Sequence, residues 1–119
     1  FKDVNDTYGH PVGDRVIKSV ARMLKKRLRK SDVIGRYGGE EFAIILPESN
    51  IEVATKLLDD VRQNFSQITQ QNHEVQFFCT LSAGVTQLSP NDSLDSVINR
   101  ADAALYEAKN AGRNKVIAK

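Results

Sequence analysis

The sequence lacks the features that mark secreted and membrane-spanning proteins. Among its 119 residues there is no Trp and a single Cys, Cys79, which cannot form an internal disulfide. Because Cys79 lies in the largely apolar segment from Phe77 to Leu81, we expect a buried thiol in a reducing cytoplasm. The apolar run from Ala43 to Leu46 is far too short to cross a membrane. No signal peptide is visible, and since the chain begins with Phe1 rather than Met, we expect a partial sequence whose targeting segment, if any, lies upstream.

Acidic residues are absent from one stretch, Arg15 to Lys30, which holds eight Lys and Arg. A basic run of this kind could contact nucleic acid or an acidic membrane surface. However, Val16, Val20 and Leu24 recur within it at helical spacing, which predicts a helix with one face packed on a core. No aromatic residue lies among these bases to stack on nucleotides. The sequence therefore favours a solvated helix face and predicts no nucleic-acid partner.

The composition is that of one soluble globular domain. The chain is 40% hydrophobic and 27% charged, which is enough for one core, and no repeat or linker divides residues 1 to 119. Periodicity and capping signals predict four helices (about 3–8, 11–29, 51–65 and 93–112) and strand-forming segments at 33–37, 41–46, 75–86 and 115–117. Asn50 and the turn that ends at Ser93 are the expected N-caps of the third and fourth helices, and Gly112 fits the C′ position of the fourth. Helices that alternate with strands around an antiparallel hairpin predict an α/β (α+β) fold, in which helices cover a mixed sheet.

The most informative segment is Arg36-Tyr37-Gly38-Gly39-Glu40-Glu41-Phe42. Two glycines between apolar segments predict a tight hairpin, because Gly adopts positive φ without steric cost. Adjacent carboxylates at a hairpin tip are unfavourable unless a cation or proton lies there. The tip is therefore a candidate site for Mg²⁺ or Mn²⁺ and a phosphorylated substrate. The alternative is a surface hairpin whose glutamates are simply solvated.

Three further blocks accompany this hairpin: Phe1-Lys2-Asp3-Val4-Asn5-Asp6-Thr7-Tyr8-Gly9-His10 with Gly13-Asp14, Ser82-Ala83-Gly84-Val85, and Arg100 to Lys109 with Gly112-Arg113-Asn114. In their order and across the whole chain, the four blocks resemble the GGDEF family of diguanylate cyclases. The resemblance implies a palm-like, ferredoxin-related nucleotidyl cyclase fold with a central mixed or antiparallel sheet. It also implies that the first strand is missing. Family members carry that apolar strand, which ends in a metal-binding aspartate, just before the segment that matches Phe1-Lys2.

The same resemblance implies an activity, the joining of two GTP molecules into cyclic di-GMP with release of pyrophosphate. Glu40 would be a metal ligand and the proton acceptor, and Glu41 an additional ligand or a hydroxyl contact. The ion would be Mg²⁺ or Mn²⁺, which neutralises phosphate charge. Each subunit of a homodimer would hold one GTP, because one hairpin cannot place two triphosphates for mutual attack. Family members often have Asp at the position of Glu40, and Glu is an accepted variant.

Residues of the first block are implied to recognise the substrate. Asn5 and Asp14 match the family's guanine-binding pair, since guanine offers two donor groups to a carboxylate and an amide, and His10 matches a substrate contact. The alternatives are a local turn residue for Asn5 and a first-turn helix acid for Asp14. By the same resemblance, Lys2 stabilises the transition state, and the amides of Phe1 and Lys2, with Gly38 and Gly39, surround the phosphates.

Two cations near the end of the last helix, Lys109 and Arg113, are implied to contact the β- and γ-phosphates. They also suit a helix C-terminus, where positive charge is favourable. Both roles are compatible, because a cation fixed at the helix end is also positioned for an anionic ligand.

Arg29 and Asp32 form an Arg-x-x-Asp pattern before the hairpin that resembles the family's inhibitory site for cyclic di-GMP. The alternative is a helix-end arginine that pairs with Asp32. Some relatives carry a further arginine on the next helix, and whether Arg62 takes that part here stays open.

Two other functions remain possible on the sequence alone. One is a receptor that binds GTP or cyclic di-GMP without turnover, although its signature would usually be broken. The other is a purely structural dimerisation domain, which would not need this convergence of acids, amides and cations. We expect a cytoplasmic domain with an upstream sensor or regulatory domain, and membrane attachment of the complete protein stays open. If the chain is truly truncated at its first strand, we expect weak or no activity from these 119 residues alone.

Overall fold

The computed structural model describes the backbone from Lys2 to Lys119 and the side chains from Val4 onward. Its elements, in chain order, are α1 (Lys2–Tyr8), α2 (His10–Arg27), β1 (Val33–Arg36), β2 (Phe42–Ile45), α3 (Ile51–Ser66), β3 (Thr69–Asn72), β4 (Val75–Phe78), β5 (Ala83–Val85), α4 (Leu94–Asn110) and β6 (Val116–Ala118). The predicted α/β class is therefore confirmed. None of the helices in this described part is both long and apolar enough to cross a membrane.

The chain forms two compact units. The first unit ends at Pro47 and resumes over Gln67–Cys79, and the second combines Glu48–Ser66 with Thr80–Lys119. The first unit therefore contains α1, α2 and the hairpins β1–β2 and β3–β4, whereas the second contains α3, α4 and the pair β5–β6.

In the first unit, α2 begins where the sequence predicts. Gly9 separates it from α1 with φ 90, a conformation that favours glycine, and Pro11 occupies the first turn. Its buried residues recur at helical spacing (Val12, Gly13, Val16, Ile17, Val20 and Leu24). The basic residues of α2 are exposed, which confirms that one face of the helix packs on the core and the other is charged.

Two antiparallel hairpins complete the first unit. In the first, Val33 pairs with Ile45 and Arg36 with Phe42. The second hairpin, β3–β4, was not predicted in full, because the polar strand β3 lacks apolar alternation. Phe77 of β4 stacks on Tyr8 of α1 with ring centroids 4.5 Å apart. Cys79 is buried, as predicted, and desolvation raises the pKa of its thiol.

In the second unit, α3 and α4 pack on the parallel pair β5–β6. Gly84 of β5 lies directly against α4, because a Cβ there would overlap the α4 backbone at Ala101 and Leu105. Phe65 and Ala104 are fully buried within this unit. The predicted caps are confirmed: Asn50 Oδ1 accepts from Val53 N at 2.9 Å, and Ser93 forms a capping box at the start of α4.

The strands differ from the expected single central sheet. Among the described residues they form three two-stranded sheets, so each strand has one partner and one unpaired edge.

Candidate functional site

The loop between β1 and β2 carries the paired acids, and internal hydrogen bonds close it. Tyr37 N and Gly38 N both donate to the carbonyl of Glu41, at 2.8 and 3.3 Å. Arg36 Nη2 donates to the carbonyl of Gly39 at 2.6 Å. The sequence pattern alone assigns no role to Arg36. Its bond fixes the backbone directly before Glu40.

The expectation that Gly38 and Gly39 are needed for positive φ in a tight turn is wrong. The only described glycines with positive φ are Gly9 and Gly112, so neither Gly38 nor Gly39 uses the conformation that excludes other residues. A Cβ on Gly39 would meet no atom within 4 Å, and one on Gly38 would lie 3.8 Å from Glu41. Neither backbone conformation nor crowding within the described chain therefore requires glycine at this tip.

Asn5 and Glu40, which lie 35 positions apart in sequence, are brought together. Asn5 Nδ2 on α1 donates to Glu40 Oε1 at 3.2 Å. Asn5 is not a turn residue, because it lies inside α1. Gly13 of α2 makes room for it, since a Cβ at Gly13 would overlap Asn5 Oδ1. The close packing of α1 on α2 thus directs the amide towards the hairpin tip.

His10 and Asp14 lie on the same unit, at the start of α2. Both side chains are exposed, and their spacing of four residues places them on one side of the helix. Asp14 is not a first-turn acid, because the first turn of α2 contains none. The structural alternative for Asp14 is thereby removed, and its substrate role stays a prediction.

Arg29 and Asp32 form the internal pair that was the alternative to a product site. Asp32 accepts from Arg29 Nη2 at 3.1 Å and from Arg29 N at 2.8 Å, and only 2% of its side chain is exposed. Arg29 Nη2 also donates to the carbonyl of Pro47 at 2.7 Å. The side-chain hydrogen bond from Arg29, followed by that from its backbone, holds the pKa of Asp32 below its usual value. The Arg29 side chain itself stays 54% exposed.

Lys109 and Arg113 lie in the second unit, at the end of α4. Lys109 is in the last helical turn, and Gly112 takes the predicted C′ position with φ 109. Arg113 N donates to the carbonyl of Ala108 at 2.9 Å, which completes a Schellman motif. Both cationic side chains are exposed. The roles predicted for Phe1 and for the side chain of Lys2 lie outside the described residues.

The acids of the loop fit a metal site only in part. Among the side chains from Val4 onward, no three His, Cys, Asp or Glu residues cluster as metal ligands would. Magnesium, however, is commonly held by one or two carboxylates together with substrate phosphates and water. Glu40 and Glu41 supply two carboxylates, and the bond from Asn5 engages one of the four acceptor positions on Glu40. The donor set thus suits a cation that arrives with a phosphorylated ligand.

Comparison with known proteins identifies the family to which this chain belongs. A family model described as diguanylate cyclase, GGDEF domain, matches residues 1–115. The chain is similar to diguanylate cyclase DgcP of Pseudomonas aeruginosa (41% identity over 98% of this chain and 17% of the relative). It is also similar to the probable diguanylate cyclase DgcT of Escherichia coli (45% over 98% of this chain and 26% of the relative). It thus spans about a quarter or less of the length of these two relatives.

Solved structures show the same fold. The GGDEF domain of DgcB from Caulobacter crescentus, in complex with c-di-GMP, matches with a TM-score of 0.93 and 38% identity over 98% of this chain and 70% of that one. The active GGEEF domain of a diguanylate cyclase from Vibrio cholerae matches with a TM-score of 0.87 and 33% identity over 98% of this chain and 74% of that one.

Proposed function

Because the chain belongs to the GGDEF domain family, we propose that it is the catalytic domain of a diguanylate cyclase that condenses two GTP molecules into cyclic di-GMP and pyrophosphate. One observation carries this proposal. Asn5 Nδ2 donates a hydrogen bond to Glu40 Oε1 at 3.2 Å, so the amide that is proposed to bind guanine contacts the carboxylate that is proposed to accept the proton.

In this reaction, a 3′-hydroxyl attacks an α-phosphate in line and displaces pyrophosphate. Glu40 accepts the hydroxyl proton, and the hydrogen bond from Asn5 keeps its carboxylate oriented at the hairpin tip. Glu40 and Glu41 would hold an Mg²⁺ or Mn²⁺ ion, which would supply charge neutralisation on the phosphates and activation of the attacking hydroxyl. The Arg36 bond to Gly39 fixes the loop backbone that carries both acids.

The glycines of the tip serve the ligand rather than the turn. Since nothing in the described chain fills the space where a Gly39 Cβ would be, that space is open to the substrate. Backbone without side chains allows phosphate oxygens to approach the peptide groups closely. Gly38 and Gly39 therefore form a part of the site that faces the triphosphate, and the family resemblance assigns phosphate contacts to the amides of Phe1 and Lys2 as well.

The remaining polar residues divide the substrate between them. Asp14, which is exposed on α2, accepts from guanine, and His10 contacts the nucleotide beside it. Lys109 and Arg113 are the positively charged residues that contact the β- and γ-phosphates. The protein acts as a homodimer with one GTP on each subunit. The exposed part of the Arg29 side chain, which is oriented by its ion pair with Asp32, binds the product as an inhibitor.

The test is product analysis with the full-length protein that contains this domain. Incubation with GTP and Mg²⁺ should give cyclic di-GMP with two pyrophosphates released per molecule, and ATP should give no cyclic product. Binding of GTP without turnover would contradict the proposal and identify a nucleotide receptor. Cyclisation of ATP at the rate of GTP would instead identify a different nucleotidyl cyclase.

A further inference from the structure

The turn that follows α4 has an unusual backbone. Gly112, Arg113 and Asn114 all have positive φ, at 109, 62 and 52. Glycine adopts this region freely and Asn tolerates it, but Arg does so rarely, because its Cβ crowds the following carbonyl. A turn of this kind persists only when surrounding contacts hold it.

Those contacts converge on Asn114. Its N–H donates to Ser82 Oγ at 3.0 Å. Its carbonyl and its Oδ1 both accept from Arg62 Nη1, at 3.2 and 2.9 Å. Arg62 lies on α3, 52 positions away in sequence. A side chain from another helix is thus hydrogen-bonded to Asn114, the residue that directly follows Arg113.

Arg62 is itself held in place. Its Nε donates to Asp59 Oδ1 at 2.7 Å, one turn earlier on α3, and only 17% of its side chain is exposed. Nε and Nη1 of this largely buried guanidinium therefore both donate to partners within the second unit. This arrangement argues against a role for Arg62 in binding cyclic di-GMP, the part left open from the sequence.

We propose that Arg62 is a positioning residue, which holds Asn114 so that Arg113 presents its guanidinium to the triphosphate of the bound nucleotide. The inference rests on the proposed function, because that function assigns the phosphates to Arg113. Arg62 does not touch the ligand. It acts through the neighbouring backbone, whose conformation sets the direction of the Arg113 side chain.

The experiment compares variants of the full-length protein in two assays, GTP kinetics and calorimetric binding of inorganic tripolyphosphate. Arg62→Met should raise KM for GTP and weaken tripolyphosphate binding by about tenfold, because misplacing a binding group by about an ångström is costly, while kcat falls less. Asn114→Gly keeps the left-handed backbone accessible and removes the side chain with its Oδ1, whereas the backbone carbonyl that accepts from Arg62 remains, so it should produce a smaller change of the same kind.

Arg100→Met is the matched control. Arg100 is another partly exposed arginine of the same unit, and it donates to Asp92 and to the carbonyl of Gln87 rather than to the turn. Its loss should lower thermal stability and leave tripolyphosphate affinity unchanged. If Arg62→Met lowered stability in the same way without changing that affinity, Arg62 would be structural only and the proposal would be overturned.

A second comparison tests whether Arg62 acts through Arg113. In an Arg113→Met background, Arg62→Met should weaken tripolyphosphate binding no further. A full additional loss in that background would overturn the proposal. If the wild type binds tripolyphosphate in this Arg62-dependent way and yet does not convert GTP, the proposed cyclase function fails while the positioning role stands.

Discussion

Arg29 makes contacts that fix the direction of its guanidinium. It bonds the buried carboxylate of Asp32 and the carbonyl of Pro47, and more than half of the side chain still faces solvent. The internal pair is therefore compatible with the proposed product site, because Asp32 and Pro47 orient a guanidinium on a side chain that stays largely exposed.

Arg29→Ala should relieve product inhibition without removing turnover. Hydrogen bonds between charged partners contribute on the order of 1.5 to 3 kcal/mol each, so the affinity for cyclic di-GMP should fall by at least about tenfold. The measurement is calorimetric titration with cyclic di-GMP. Lys30→Ala, which removes an exposed charge next to Arg29, should change that affinity little. Equal affinities for the wild type and Arg29→Ala would remove the product-site claim.

Asp92 is held by the densest polar network of the second unit. It accepts from Arg100 Nη2 at 2.7 Å, from Ser89 N at 2.8 Å and from Ser96 Oγ at 3.2 Å. The side-chain hydrogen bond from Arg100, followed by the backbone bond from Ser89, holds the pKa of Asp92 well below its usual 3.8. A depressed pKa favours the folded state whenever the unfolded chain would also be ionised.

The contribution of Asp92 should therefore be present above about pH 4 and be lost as the pH falls towards its folded-state pKa. Asp92→Asn should be less stable than the wild type at pH 7, and the difference should shrink steadily below pH 4. Urea unfolding across this pH range measures it. In an Arg100→Met background, the pH-dependent part should be much smaller, and an unchanged dependence there would show that the guanidinium is not its main cause.

At the scale of elements, local chemistry decided most boundaries. Asn50, Ser93 and Gly112 each occupy the capping position expected from residue type. The side chains of Asn50 and Ser93 accept hydrogen bonds from backbone N–H groups at the starts of α3 and α4, and Gly112 adopts the positive φ that ends α4. The sequence does not predict strand β3, because Thr69–Asn72 carries no apolar pattern and becomes a strand only through pairing with β4. Tertiary pairing overrides weak local preference in such segments.

Gly84 shows where an element needs its exact residue. Gly84→Ala should destabilise the domain by about 1 to 3 kcal/mol or more, because the added methyl meets the backbone of α4, which cannot rotate away. Thermal or urea unfolding measures the change. Gly35→Ala in β1 is the control, since a Cβ there meets no atom within 4 Å and should be neutral or slightly stabilising. Equal effects at both positions would contradict the packing account.

For the whole molecule, the sequence predicts the features that depend on local patterns better than those that depend on contacts between distant residues. The α/β class and most helices followed from periodicity, whereas the contact of Asn5 with Glu40 spans 35 positions and could be suspected only from the family resemblance. The role of Gly13 in seating Asn5 was equally invisible, because it depends on how α1 packs on α2. The division of the strands into three pairs could not be read from the sequence either, since a strand's partners are set by tertiary packing.

The most direct test of the cyclase assignment is turnover by Glu40→Gln in the full-length protein. Glutamine keeps the size of the side chain and removes the carboxylate that accepts the proton and binds the metal. We predict loss of cyclic di-GMP formation from GTP with an unchanged melting temperature, while Glu74→Gln, in the exposed β3–β4 turn, retains full activity. Turnover at the wild-type rate by Glu40→Gln would contradict the account.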